Sequence, residues 1–239
     1  MLTGHLSIER NLMSGILFKT LSVLSLSLLP LQSFADISVI KKNNIKPGNI
    51  EYAKVLYSGD VTENKTVEFI SVLDEINANY PKLKKIYVYI NSYGGDMDSG
   101  YMAYEAIKSS LVPVTTVNLS MVGSSATLFY CAGAERLSMK GASFLLHPAA
   151  VTNENSNFLK PDSLKNMQEA VNVYNNMFDT VYKECTTYTD TERKNILYSE
   201  NGRALINSAT AIDKKIASGL ANGFSDVQIS YYITEKPNQ

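Results

Sequence analysis

Ile86-Tyr-Val-Tyr-Ile90, running on through Asn91-Ser-Tyr-Gly-Gly95 to a helical pattern over Ser99 to Ser109, decides the fold class. A β-branched and aromatic run with no polar alternation describes a strand covered on both faces, the habit of parallel sheets. Gly94-Gly95 ends the strand, and the helix follows. The same rhythm extends outward in both directions. Towards the N-terminus, Lys54-Val-Leu-Tyr-Ser-Gly-Asp60 reads as a strand entering a glycine turn. Between the two strands, Val67 to Ala78 places Phe69, Ile70, Leu73 and Ile76 on one helix face. Towards the C-terminus, Val112 to Leu119 is β-rich, and a small-residue turn at Gly123 leads into an apolar helix over Ala126 to Ala132. Strand, helix, strand, helix in this order implies parallel pairing through crossovers, so the class is α/β.

The chain begins with a segment that is not read as part of the fold. Met13-Ser-Gly-Ile-Leu-Phe-Lys19 is a cationic start, Thr20 to Leu31 is apolar and serine-rich, and Ser33-Phe34-Ala35 sets small residues at a cleavage site. Residues 1–35 are therefore expected to be an export signal, with Met13 as a better-formed start; an uncleaved membrane anchor is the alternative. Residues 36–239 are expected to form a single domain. Losing the cations Arg10 and Lys19 and the anion Glu9 moves the net charge from −1 to −2, which offers no nucleic-acid footprint. Cys131 and Cys185 are expected to be free, buried thiols, because Cys131 lies in an apolar helix and no spacing joins the two. From Ser163 to Thr186, Leu164, Met167, Val171, Tyr174, Phe178, Val181 and Cys185 recur at three- and four-residue steps, a long amphipathic helix with Asn166, Gln168, Asn175 and Lys183 between them. That stripe can pack on its own domain or on another subunit.

Beyond the export signal the chain keeps one histidine, His147, at the end of Phe144-Leu-Leu-His147. A single imidazole rules out a multi-histidine metal site and leaves one ready proton-transfer group near neutral pH. Acyl transfer needs a nucleophile, a base, a group orienting the base, and N–H donors for the oxyanion. Gly123-Ser-Ser-Ala126 opens a helix and can present a hydroxyl beside backbone N–H groups. Gly94-Gly95 lets bare backbone approach a ligand, and Pro148 biases His147 towards an extended strand end. Taken singly, each has a plainer account as a turn, a helix cap or a core histidine.

Together these residues resemble the proteolytic subunit of the Clp protease, ClpP, and the wider superfamily it shares with the crotonases. Ile90-Asn-Ser-Tyr-Gly-Gly-Asp-Met-Asp-Ser-Gly100 is similar to the family's Ile-Asn-Ser-Pro-Gly-Gly segment. Met121-Val-Gly-Ser-Ser-Ala-Thr-Leu-Phe-Tyr-Cys-Ala-Gly-Ala134 is similar to its nucleophile helix, and Phe144-Leu-Leu-His-Pro148 to its histidine motif. The likeness covers Val55 to Pro148 well and the remainder loosely. It implies a superhelix of repeated β-β-α units with a protruding handle helix, the handle falling in 160–200.

The resemblance also implies roles. Ser124, nine residues before Gly133, is expected as nucleophile and His147 as general acid and base. Gly94, Gly95, Asp96 and Ser125 are expected to form the oxyanion hole and bind substrate backbone. Where the family has an aspartate, an ungapped count back from Gly219-Leu220 puts the neutral Asn207, with Asp213, Glu200 and Asp190 as lower-ranked substitutes. The expected activity is a serine endopeptidase acting on peptides or unfolded segments, without metal or cofactor. The expected assembly is a homo-oligomer joined through the handle helix. Because so little chain lies between Ala35 and the first strand, no ATP-driven unfoldase is expected. Two other readings keep the fold: a pseudoprotease that binds peptides or a partner, and a crotonase-like acyl-CoA enzyme, which export from the cell disfavours.

Overall fold

Strands β2 (Tyr52–Ser58), β3 (Lys85–Ser92) and β4 (Val114–Gly123) lie parallel in the middle of the sheet. The computed structural model describes residues 36–152 and 160–235, so the expected export signal over 1–35 lies outside the described residues. Strands β1 (Asp36–Lys41), β5 (Glu135–Ser138), β8 (Gly219–Leu220) and β9 (Ile229–Thr234) complete the order β1-β9-β2-β3-β4-β5-β8. Every neighbouring pair along this path is parallel except β1 with β9. The α/β class expected from the sequence is the one observed.

The crossovers are α1 (Glu63–Asn79) and α2 (Met97–Lys108). Thr62 caps the first by accepting from the Lys65 N–H, and Asp96 caps the second by accepting from the Ser99 N–H at 2.8 Å. After β4, helix α3 (Ala126–Cys131) has no exposed residue. Its Phe129 meets Tyr57 of β2 at 5.3 Å between ring centres, and its Tyr130 meets Phe144 at 5.0 Å. A short helix with no solvent face is held by packing rather than by propensity.

β4 changes partner along its length. Thr115 to Asn118 pair with β5, while Met121 to Gly123 pair with β6 (Ser143–Leu146). Strand β7 (Ala204–Asn207) then pairs antiparallel with β6 and runs into α6 (Ser208–Asp213). Consequently β3, β4 and β6 end side by side at their carboxyl ends, where open α/β sheets bind ligands.

Helix α4 (Pro161–Cys185) buries Asn175, Phe178, Val181, Tyr182 and Cys185, all in its C-terminal half. Leu164, in the N-terminal half of the same stripe, is 52% exposed. Helix α5 (Asp190–Tyr198) follows, opened by a capping box of Thr189 and Glu192. No helix among the described residues is long and apolar enough to cross a membrane.

The free thiols expected from the sequence are replaced by a disulfide: Cys131, at the end of α3, is bonded to Cys185, at the end of α4, with Cα atoms 5.5 Å apart. Helicity and burial were read correctly; what spacing did not reveal is that α4 returns its last turn to α3. Closing 54 residues of sequence constrains the unfolded chain by about 4 kcal/mol in the loop-entropy account.

Phe129→Ala is expected to cost about 3–5 kcal/mol in chemical denaturation, because the ring touches both Tyr57 and Phe69 with no room to collapse. The Lys214 ammonium, with the Thr189 backbone and hydroxyl, holds the Glu192 carboxyl down at about 2. A folded value below the unfolded ~4.3 means this contribution is complete above that pH and disappears as pH falls through about 2. Amide exchange in the first turn of α5 is expected to quicken over that window, and a flat profile would dissociate the cap from Glu192 ionisation.

Candidate active site

The end of β3 is held open by its glycines. Gly94 and Gly95 have φ of +107° and +148°, a region closed to most side chains. A parallel bridge joins Gly95 to Val61: the Val61 N–H donates to the Gly94 carbonyl at 2.8 Å, and the Asp96 N–H donates to the Val61 carbonyl at 2.9 Å. In such a bridge Gly95 turns its own N–H and C=O to the opposite side. Asp96, expected among the oxyanion donors, is thereby corrected: its N–H is taken by Val61 and its carboxylate by the α2 cap.

Ser124 stands against Gly94. A Cβ on Gly94 would fall 2.8 Å from the Gly123 carbonyl oxygen and 3.1 Å from Ser124 Oγ, so the glycine is required by the serine's presence. Ser124 itself has φ of +52°, a left-handed conformation that costs a non-glycine residue on the order of 1–3 kcal/mol. Strain of this kind at a strand-to-helix turn lifts a hydroxyl out of the sheet. The two serines are separated by burial: Ser124 is half-buried, whereas Ser125 is 0% exposed and its Oγ has no hydrogen-bond partner. Only the first presents a hydroxyl; the second contributes backbone at the start of α3, pressed on by Gly100 of α2.

The sequence reading missed two residues behind this turn. Thr127 Oγ1 donates to the Ser124 carbonyl at 2.6 Å, and Thr127 Oγ1 and Tyr182 Oη are 2.7 Å apart. Since the threonine proton is spent on a carbonyl, the tyrosine must donate to the threonine. Burial raises the Tyr182 hydroxyl's pKa and keeps it a donor. The turn is thus tied to α4.

His147 arrives from β6. The Ser124 N–H donates to the Leu145 carbonyl at 2.9 Å, which fixes the register between the two strand ends. His147 Nδ1 lies 2.7 Å from the Pro148 carbonyl oxygen. A carbonyl only accepts, so Nδ1 donates to it, and in the neutral imidazole the lone pair then lies on Nε2, the tautomer a general base requires.

Asn207 is not brought to the imidazole. It pairs with Ser143, four residues before His147 and roughly 13 Å away along an extended strand, and its Oδ1 accepts from the Thr210 N–H at 3.0 Å as the cap of α6. The ungapped count failed because a cap, not a catalytic residue, occupies that position. Asp190 is committed to Arg193, and Asp213 is exposed at the end of α6. Glu200 differs: it lines, with His147, Ala149, Asn175 and Tyr198, a cavity of about 470 Å³. Its Oε1 accepts from Arg203 at 3.2 Å.

Asn175, read from the sequence as a polar residue between the apolar positions, is 1% exposed. Its Oδ1 accepts from the Ala149 N–H at 2.8 Å, while its Nδ2 is buried without a partner. The signal was present as a second helical register, Val171, Asn175, Phe178, Tyr182, beside the one first read.

Asn207→Ala is expected to lower stability by about 1 kcal/mol through the lost cap, measured by thermal or urea unfolding. Tyr182→Phe removes one donor from the Thr127 relay at constant volume and is expected to cost about 0.5–1.5 kcal/mol.

A Clp protease family model matches residues 43–214. The chain is 28% identical over 103 residues to the ATP-dependent Clp protease proteolytic subunit 2 of Treponema pallidum, covering 41% of this chain and 50% of that one. It is 26% identical over 156 residues to the subunit 2 of Borreliella burgdorferi, covering 63% of this chain and 67% of the relative. The chain spans about half the length of the first curated relatives it matches. A solved structure of a ClpP1 mutant from Listeria monocytogenes shares the fold, with a TM-score of 0.61 at 17% identity over 71% of this chain and 91% of that one. Strand ends carrying Gly94-Gly95, Ser124 and His147, matched across most of the described sheet, place this chain in the Clp protease family.

Proposed function

We propose that the chain is an exported serine peptidase in which Ser124 Oγ attacks the peptide carbonyl and His147 Nε2 takes its proton. The resulting tetrahedral oxyanion would receive the outward Gly95 N–H and the Ser125 N–H. Collapse expels the amine with the proton from His147 and leaves an acyl group on Ser124, which water then hydrolyses by the same base. The observation that carries this reading is Ser124 held at positive φ against Gly94, with its N–H bonded into the strand that ends at His147. The free edge at Gly95 suits substrate bound as an added strand, which favours peptides and unfolded segments over folded proteins.

The Pro148 carbonyl takes the orienting position in this scheme in place of Asn207, since it accepts the Nδ1 proton, and Glu200, which lines the same cavity as the imidazole, would offer the imidazolium a nearby negative charge. The same carbonyl fixes the imidazole tautomer. Two structural features bear on compartment and partners. The Cys131–Cys185 bond supports an oxidising destination, in line with the sequence signal. The exposed N-terminal half of α4 supports self-assembly through the handle.

A second reading, a peptide-binding pseudoprotease, is favoured by one observation: the hydrogen bond recorded at His147 Nδ1 goes to a backbone carbonyl rather than a carboxylate. A fluorophosphonate separates the two. Labelling at Ser124, abolished by Ser124→Ala, is expected of the peptidase, together with cleavage of unfolded casein. Glu200→Gln is expected to reduce kcat roughly 10- to 100-fold with little change in KM, the pattern of lost transition-state stabilisation. Absence of both labelling and cleavage would leave the binding protein.

A further inference from the structure

We propose that the Cys131–Cys185 bond is a thiol-exchange site for a small dithiol, and that its state sets how firmly the Ser124 turn is held. The consequence for activity rests on the peptidase reading above; the consequence for the turn does not. Helix α3 begins two residues after Ser124 and is joined to α4 at two points on one face. Thr127 is hydrogen-bonded to Tyr182, and Cys131, one turn further on, is bonded to Cys185. Thr127 also donates to the Ser124 carbonyl, so the covalent tie lies one helical turn from the side chain that holds Ser124 at its strained φ of +52°. Cutting it leaves a single hydrogen bond holding α3 to α4 on that face.

The bond is reachable from one side. Cys131 lines a cavity of about 380 Å³ together with Tyr104, Lys108, Val114, Arg136 and Glu184, whereas Cys185 is 3% exposed and does not line it. A thiolate entering this cavity would therefore reach Cys131, itself 9% exposed, before Cys185. Lys108 and Arg136 outnumber Glu184 at this opening and favour an anionic attacker. Arg136 is fixed there by donating to the carbonyls of Ile216 at 2.8 Å, Lys215 at 3.0 Å and Cys185 at 3.4 Å. In the first step the thiolate forms a bond to Cys131 Sγ and the S–S bond breaks, its electron pair leaving on Cys185 Sγ. The dithiol's second sulfur, as thiolate, then attacks its own mixed disulfide and releases Cys131 as thiolate. Both protein sulfurs take protons from solvent, two electrons pass to the protein, and the dithiol leaves as a disulfide.

The test uses the full chain purified without reductant and then treated with dithiothreitol under native conditions. Thiol counting should find two thiols opened in the folded protein, with alkylation of a quenched intermediate trapping the mixed disulfide on Cys131. Amide exchange over residues 124–131 should rise at least tenfold, and fluorophosphonate labelling of Ser124 should slow at least fivefold; oxidised glutathione should reverse both. The double variant Cys131→Ser, Cys185→Ser should match the reduced protein and ignore dithiothreitol, and if it does not fold, the oxidised and reduced wild type carry the comparison alone. Exchange over 124–131 that does not change when two thiols have formed overturns the proposal, as does a bond that resists dithiothreitol until the protein unfolds. If Ser124 labels in neither state, the peptidase reading falls and the exchange measurement still decides whether the bond holds the turn.

Discussion

A short helix without a solvent face organises this molecule. Helix α3 cannot be stabilised by its own hydrogen bonds at six residues, so everything around it must fit. Tyr57 and Phe69 meet Phe129 from one side. Thr116 donates to the Tyr130 carbonyl, and Tyr130 in turn donates to the Leu137 carbonyl. Gly133 can follow only as glycine, because a Cβ would run into Thr116. The Ser124 turn is the open end of this buried element, and its left-handed residue is tolerated because the helix behind it has nowhere to go.

The same arrangement explains which parts of the molecule were legible in the sequence. Strand β3 announced itself because both its faces are covered, and the helices announced themselves through periodicity. Gly94-Gly95, Ser124 and His147 were found because each ends a strand, and strand ends are marked by glycine and proline. The C-terminal part of the site was not legible. Asn207 ends β7 and Glu200 stands four residues before its start, and the strand is too short for its pairing with β6 to be counted from sequence. An insertion-free count therefore reached the cap of the next helix and stopped short of Glu200, the acid that lines a cavity with the imidazole. The disulfide was invisible for a related reason: burial predicts a quiet thiol, and only the path of α4 supplies its partner.

Two polar atoms are buried without a partner near the candidate site, Ser125 Oγ next to Ser124 and Asn175 Nδ2 on the residue that lines a cavity with His147. Such groups carry a desolvation cost of about 1–3 kcal/mol each when nothing meets them. Asn175 is anchored through its oxygen to the Ala149 N–H, which leaves its amide nitrogen beside the cavity that His147 lines.

The pairing of β6 with β4 has an implication for fidelity of folding. Phe144 and Leu146 point into the core while Leu145 and His147 share the other face. A slip of one residue in this register would exchange the two faces, turning the imidazole into the apolar interior and Phe144 and Leu146 outward. The penalty falls on two large apolar side chains rather than on the histidine. Two core residues thus keep the imidazole on the face it shares with Leu145, and a chain that misregistered there would lose its core packing whatever became of the histidine.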